Sequence, residues 1–276
     1  MAVATDTLER IVHAALAEDI GAGDVTTEAT VTADAVGVAD LLVKESGVVC
    51  GLRAAEATFR ALDPEIHFEA SAAEGDLVEA PAVVARVTGS ERAILTGERV
   101  ALNFLARLSG IATLTRRYVD AVEGTGTAVL DTRKTTPGLR ALEKHAVACG
   151  GGRNHRFGLD DAVLVKDNHL RATGSISAAV ELLRAATDLP VEVECETLDQ
   201  VAEALAAGVD AILLDNMTLA QLRDAVALAG GRARLEASGG VNLDTIRAIA
   251  ETGVDEISVG ALTHSARSLD VSLELT

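Results

Sequence analysis

Apolar and polar positions along this chain follow two rhythms, and the change between them falls near residue 110. The first part is mixed. Leu8, Ile11, Val12, Ala15 and Leu16 recur at helical spacing and predict an amphipathic helix over 7–18, closed by a Gly/Asp-rich turn at 19–24. β-Prone runs follow at 36–43 and 47–50, then a helical pattern at 53–62 and short strands at 66–69, 77–79 and 82–87, with Gly75-Asp76 and Gly89-Ser90 as turns. From Ser90 an apolar helical face carries Ile94, Leu95, Val100, Leu102, Phe104, Leu105 and Leu108 as far as Ser109-Gly110, where a break is predicted before a second helix over 112–122.

Beyond that point one beat repeats: a short apolar run, a polar residue, a helix. The runs lie at 128–130, 162–165, 191–193, 211–214, 234–235 and 256–259, each fitting a buried parallel strand. Thr197-x-x-Gln200 and Thr218-x-x-Gln221 fit capping boxes, Asn242 can cap the next helix, and Gly208 and Gly253 stand where helices stop. Such alternation specifies an α/β barrel or a doubly wound sheet. Asp131 with Arg133, Lys166, Glu194, Asp215, Ser238-Gly239-Gly240 and Gly260 all fall at or just past a strand's C-terminal end. A doubly wound sheet uses only the ends at its switch point, whereas a barrel gathers every end at one mouth. Six polar or glycine-bearing ends favour the barrel.

Charge adds a second feature. The chain is acidic, −18 overall, yet residues 131–171 hold eight of the 24 basic residues against five acids, with three of the six histidines: His145, His155 and His169. The island is Arg-rich and interrupted by Gly150-Gly151-Gly152, unlike a solvated basic helix face. Guanidinium forks grip carboxylate or phosphate in two places, so a small polyanion is the expected ligand. With 2% aromatic residues, no Trp and a large negative charge, nucleic-acid binding by stacking or by phosphate neutralisation is excluded. Neither a leader-like N-terminus nor a membrane-length apolar stretch stands out, so a cytoplasmic protein is expected. Cys50, Cys149 and Cys195 are scattered, without CxxC spacing, and are read as reduced thiols with no structural zinc.

Two motifs carry further chemistry. Glu194 and Asp215 end neighbouring strands and could share Mg²⁺, though either could equally cap a helix or act as a base; Glu192 and Glu196 lie on the same strand face as Glu194, and alternation does not choose among them. Glu236-Ala-Ser238-Gly239-Gly240 and Ser258-Val-Gly260-Ala261 put small residues between a strand and a helical segment, as late barrel loops do around a phosphate. Arg99 and Asn103, four apart on the long helix, read as a polar stripe.

The run DTRKTTPGLRALEKHAVACGGGRNHRFGLDDAVLVKDNHL, with ERVALNFLARLSGIAT before it, LLDNM, LEASGGV and SVGALTHS after it and EDIGAGDVTT near the start, resembles the quinolinate phosphoribosyltransferase family over nearly the whole chain. Thr136 departs from the apolar residue expected in KTTPG. The resemblance implies an N-terminal α+β domain, 1–110, packed on an incomplete α/β barrel, 111–267, with 268–276 returning to the first domain. It also implies transfer of phosphoribose from phosphoribosyl pyrophosphate to quinolinate with release of pyrophosphate and CO₂. It implies that Arg133, His155, Arg156 and Lys166 surround the quinolinate carboxylates, with Arg99 supplied by the partner in a homodimer. Lys134 and His264 would face the pyrophosphate and ribose, and Glu194 and Asp215 the ribose hydroxyls and Mg²⁺. Ser238, Gly239, Gly240 and Gly260 would receive the ribose phosphate, and Thr132, Val259 and Ala261 complete the substrate-binding set. Lys134, Lys166, Glu194 and Asp215 would be the catalytic residues.

Overall fold

The structure, a computed structural model, describes residues 3–276. Its elements in order are α1 (Thr5–Ile20), α2 (Val25–Thr30), β1 (Val36–Val43), β2 (Gly47–Val48), α3 (Leu52–Leu62), β3 (His67–Ala70), β4 (Leu77–Val78), β5 (Ala82–Ser90) and α4 (Glu91–Ala121). Then come β6 (Ala128–Leu130), α5 (Arg140–Cys149), β7 (Val163–Val165), α6 (Asp167–Thr173), α7 (Ile176–Ala186), β8 (Val191–Cys195), α8 (Leu198–Ala206), β9 (Ala211–Asp215) and α9 (Leu219–Ala229). The chain closes with β10 (Arg234–Ser238), α10 (Ile246–Ala250), β11 (Glu256–Ser258), α11 (Ala261–His264) and β12 (Val271–Leu275).

The chain divides into two compact units, one of residues 1–116, 135–151 and 262–276, the other of 117–134 and 152–261. The first is α+β. Its antiparallel sheet runs β12-β1-β5-β3. Alternation along β1 sends Ala39, Leu41 and Val43 into a core with Phe59, Val87, Ile94 and Leu105. Asp40, between them, meets its cross-strand neighbour Arg86 through two hydrogen bonds of 2.7 and 2.8 Å.

One local expectation fails here for a physical reason. The break at Ser109-Gly110 is absent, and α4 continues through both residues. Gly110 serves close approach rather than termination: a Cβ there would lie 2.0 Å from the Arg267 carbonyl oxygen. Ser109 is fully buried and donates to the Cys50 carbonyl oxygen at 3.0 Å. A further element, without an assignment from the sequence pattern, is α2, a six-residue helix started by the Asp24 side chain, which accepts from the Thr27 N–H at 3.0 Å. Its β-branched composition hid it, because propensity is a weak prior against a good cap.

The second unit is the six-stranded parallel sheet, ordered β6-β11-β10-β9-β8-β7. From β7 each strand pairs with its successor and the last returns to β6, which is the cyclic order of a barrel and not the reversing order of a doubly wound sheet. The seam between β6 and β7 stays open among the described residues. There the Arg153 segment bridges to β6 alone, donating to Val129 O at 2.8 Å and accepting from Asp131 N–H at 3.1 Å. The barrel is therefore incomplete. Among the described residues no helix is long and apolar enough to cross a membrane.

Candidate functional site

Strand register fixes which side chains share the barrel interior. Paired residues across a sheet project to the same face. The pairs Leu164↔Glu192, Glu194↔Leu213, Glu236↔Leu213, Glu236↔Glu256 and Ser258↔Leu130 therefore put these residues on one common face, and period two adds Lys166, Asp215 and Ser238. Lys166, Glu194, Asp215, Ser238 and Ser258 form its outermost layer. They line a cavity of about 610 Å³ together with Thr132, Arg133 and Lys134, so that β6 contributes through the segment after it and the other five strands contribute directly or at their ends.

The register also separates the three glutamates of β8. Glu194 sits at the mouth, where Oε2 accepts from Lys166 Nζ at 2.8 Å. Glu192 lies one layer deeper and is 7% exposed, while Glu196 is exposed, next to the cap of α8.

His155 and Arg156 reach the cavity from the segment that pairs with β6 at the open seam. Buried Asp131 holds that segment, accepting from Asn154 Nδ2 at 2.7 Å and from His155 N–H at 2.8 Å. His155 Nε2 then lies 3.1 Å from Glu192 and 3.3 Å from Glu236, which is 1% exposed. Burial alone would lower the pKa of this ring, but the hydrogen bond to Glu192 and the close carboxylate of Glu236 raise it to about 10. One contact opposes the charged form: the Arg156 N–H points at Nδ1 from 2.8 Å, where an imidazolium would carry its own proton. The two carboxylates thus favour the charged ring, and the Arg156 N–H favours the neutral one.

Beside it, Arg156 has its pKa lowered by burial and then by the charge of Arg133, and the Arg133 Nε is buried without a hydrogen-bond partner. Two crowded guanidiniums and an unmatched buried donor, inside a protein of −18, present a surface made for an anion.

The opposite wall is acidic and glycine-built. Gly239 and Gly240 have φ of +95° and +61°, and a Cβ on Gly239 would fall 2.2 Å from Asn216 Oδ1. Asn216 itself has φ +55°, a conformation that Asn tolerates better than most residues. Its N–H donates to Ser238 O at 2.9 Å and its Nδ2 to Asp215 Oδ2 at 2.7 Å, so one residue ties the glycine turn to the carboxylate. Asp215 and Glu194, on adjacent strands, supply the hard oxygen donors that suit a partly hydrated Mg²⁺ shared with substrate oxygens.

Of the residues expected at the site, Thr132, Arg133, Lys134, His155, Arg156, Lys166, Glu194, Asp215, Ser238, Gly239 and Gly240 line this cavity. Val259, Gly260 and Ala261 follow β11 but do not line it, although their neighbour Ser258 does. Arg99 and His264 belong to the first unit. Arg99 is exposed, with Glu98 3.9 Å away, and His264 Nδ1 lies 2.7 Å from Ser265 Oγ. Sequence reasoning missed Glu236, Asn216 and the positioning roles of Glu192 and Asp131. Period two along β8 and β10 was the available signal for the two glutamates; nothing in the sequence marked the φ of Asn216.

The basic island resolves into separate jobs. Arg133, Lys134, Arg156 and Lys166 line the cavity, whereas Lys144 is buried in the first unit and Arg171 is exposed, 3.7 Å from Asp167. Thr136 has its own use: its N–H and hydroxyl donate to Glu143 at 3.0 and 2.8 Å, helping Arg107 satisfy a fully buried carboxylate.

Comparison with known proteins gives consistent findings. Residues 24–109 match the model for the N-terminal domain of quinolinate phosphoribosyl transferase, and residues 111–274 match that for its C-terminal domain. The chain is 49% identical over 265 residues to a probable nicotinate-nucleotide pyrophosphorylase (carboxylating) of Synechocystis sp., covering 94% of this chain and 90% of that one. It is 42% identical to the Bacillus subtilis protein of the same name, covering 98% and 93%. The solved nicotinate-nucleotide pyrophosphorylase of Francisella tularensis superposes with a TM-score of 0.96 at 40% identity, covering 100% of this chain and 98% of that one.

Proposed function

The chain belongs to the quinolinate phosphoribosyltransferase family, and from that membership and the barrel cavity we infer that it converts quinolinate and phosphoribosyl pyrophosphate to nicotinate mononucleotide, pyrophosphate and CO₂, a step of NAD biosynthesis. The observation that carries the reading to these residues is the crowded Arg133/Arg156 pair with its unmatched buried Nε, which suits a dicarboxylate.

Arg133, Arg156, His155 and Lys166 bind the two ring carboxylates and orient the pyridine nitrogen towards the ribose. The Ser238-Gly239-Gly240 turn receives the 5-phosphate on backbone N–H groups, and Glu194 with Asp215 accepts from the ribose hydroxyls. The nitrogen lone pair forms the bond to C1 of the ribose as the C1–O bond to pyrophosphate breaks, and carboxylates nearby stabilise the positive charge that develops on the sugar. Lys134 stabilises the departing pyrophosphate. Glu194 and Asp215 would also hold Mg²⁺, which when bound neutralises pyrophosphate charge. The ring nitrogen, now a pyridinium, accepts the electron pair left when the adjacent carboxylate departs as CO₂, and the ring carbon takes up a proton. No side-chain nucleophile is needed.

Arg99 gives this reading a quaternary form, a cytoplasmic homodimer in which the exposed arginine of one subunit completes its partner's cavity. Arg99→Ala and Arg133→Ala should each be inactive alone, while a mixed dimer holds one intact site. Co-expression with two tags and isolation of the mixed species should recover activity; a folded mixed dimer as inactive as its parents would remove Arg99 from the site. The reaction itself is tested by incubating the protein with quinolinate, phosphoribosyl pyrophosphate and Mg²⁺ and following nicotinate mononucleotide by chromatography. Equal turnover of nicotinate would overturn the dicarboxylate assignment.

A further inference from the structure

Away from the barrel, within the first unit, the fold gathers four donors that the sequence keeps far apart. Cys50, Glu74, His145 and Cys149 each offer one ligand atom, and these atoms all lie within 4.8 Å of one another. His145 Nε2 is 3.5 Å from Cys149 Sγ and 3.8 Å from Glu74 Oε2. A tetrahedral zinc ion with ordinary bond lengths holds sulfur and nitrogen ligands about 3.5 Å apart and nitrogen and oxygen ligands about 3.3 Å apart. The first spacing is met and the second needs a movement of about 0.5 Å, less than a side-chain rotation supplies.

The donors are held before any ion arrives. His145 and Cys149 stand one turn apart on α5 and so project to one side of it. Cys50 is fixed at its backbone, its N–H donating to Ser109 Oγ at 2.9 Å and its carbonyl accepting from the same hydroxyl. Glu74 accepts from Gly51 N–H at 2.8 Å and Arg53 N–H at 3.1 Å, and each oxygen keeps a further lone pair. The turn that carries it is pinned beside Cys50 by two backbone bonds, Gly75 N–H to Val49 O at 2.8 Å and Val49 N–H to Asp76 O at 2.9 Å. The end of α5 packs closely on α4, since a Cβ on Gly150 would fall 2.4 Å from Ala112 O.

We propose that Cys50, Glu74, His145 and Cys149 form a structural zinc site in the first unit. The donor set selects the metal. Two thiolates reject Mg²⁺ and Ca²⁺, whereas an imidazole and a carboxylate completing four ligands suit zinc better than the fully soft sets that select Cu(I). Cys50 is buried and the other three are partly exposed, which closes one side and leaves an approach from the other. Binding displaces the protons still held by the thiols and by His145 Nε2 and joins residues 50, 74 and 145–149, so it stabilises the folded first unit. This reverses the expectation that three scattered cysteines carry no zinc, and it is independent of the reaction assigned to the barrel.

The test uses the full chain, purified with reductant and without chelator. Elemental analysis should find about one zinc per chain. After chelation and gel filtration, Co²⁺ should produce thiolate-to-metal charge-transfer bands and the visible bands of a tetrahedral ion; Co²⁺ bound at Glu194 and Asp215 would give neither. Cys149→Ala should weaken zinc binding by at least about 100-fold in a competition titration, while Cys195→Ala and Asp215→Asn leave it unchanged. Should Cys149→Ala fail to fold, His145→Phe with the cobalt spectrum serves the same purpose. The proposal is overturned by a wild-type cobalt complex without thiolate bands, by zinc affinity that survives both variants, or by a thiol count showing Cys50 and Cys149 joined in a disulfide in metal-free protein.

Discussion

Two histidines of this protein stand against acids, and their surroundings give them opposite uses. His155 faces two glutamates among oxygens and guanidiniums, whereas His145 faces one glutamate and two thiols. Both rings have pKa values raised to about 10, His155 by Glu192 and Glu236 against the opposing effect of burial, His145 chiefly by its hydrogen bonds to Cys149 and Glu74. The similar basicity conceals the difference. Around His155 the partners are hard and the site next door demands an anion, so the useful state is a fixed cation. Around His145 the partners are soft, and Cys149, whose pKa falls to about 6 through its bonds to Cys50 and His145 despite burial, is held towards the thiolate form that a metal takes. Charge state is therefore a poor guide to the role of a histidine; the elements around it decide.

The sharpest way to separate the two regions is metal dependence. Exhaustive chelation should abolish turnover, by at least about 10³-fold, and also lower the denaturation midpoint. Mg²⁺ alone should restore the rate, and Zn²⁺ alone the midpoint. If one ion restores both, the regions do not have separate metal chemistry.

Next in size is Arg133. Arg133→Ala should cost about 10³-fold in kcat/KM for quinolinate, and Arg133→Lys about 10²-fold, since a point charge does not replace a bidentate fork. A lysine variant at full activity would show that the fork is not used.

The His155 cluster is tested through stability. Removing the ring as His155→Leu leaves Glu192 and Glu236 buried without their cation and should cost about 3 kcal/mol in denaturant unfolding. Because the folded pKa is raised above the unfolded value, this contribution is fully present below about pH 6.5 and is lost as the pH rises through about 10. The gap between wild type and variant should narrow over that window, and a gap that widened would mean the ring is neutral in the folded state.

Smaller effects follow from backbone and hydrogen-bond detail. Gly239→Ala puts a Cβ against Asn216 at φ +95° and should destabilise by about 2 kcal/mol, with a rise in KM for phosphoribosyl pyrophosphate. Thr136→Val removes one donor from buried Glu143 and should cost about 1 kcal/mol with turnover unchanged, read by the unfolding midpoint and initial rates.

Much of the cavity was legible because barrel geometry is periodic. The polar residues after six apolar runs had only one place to meet, and Lys166, Glu194, Asp215 and Ser238 meet there. Glycines were less legible. Gly110 had the spelling of a helix break and serves instead to let a carbonyl approach α4, because sequence does not distinguish a glycine that must turn from one that must be small. Aromatic and disulfide signals, being nearly absent, excluded whole classes of function without identifying any.

The sequence by itself determined the alternation of strands and helices, the cationic stretch and the family motifs, because these depend on spacings of two to about forty residues along one chain. Only the tertiary structure decided that Glu192 and Glu236, from strands 44 positions apart in the chain, would share His155. It alone brought Cys50 and Glu74 to the His145–Cys149 turn of α5. Such clusters are set by packing and strand register, whose cooperative contacts join distant segments, and no local pattern of hydrophobicity or charge records which distant segment will arrive.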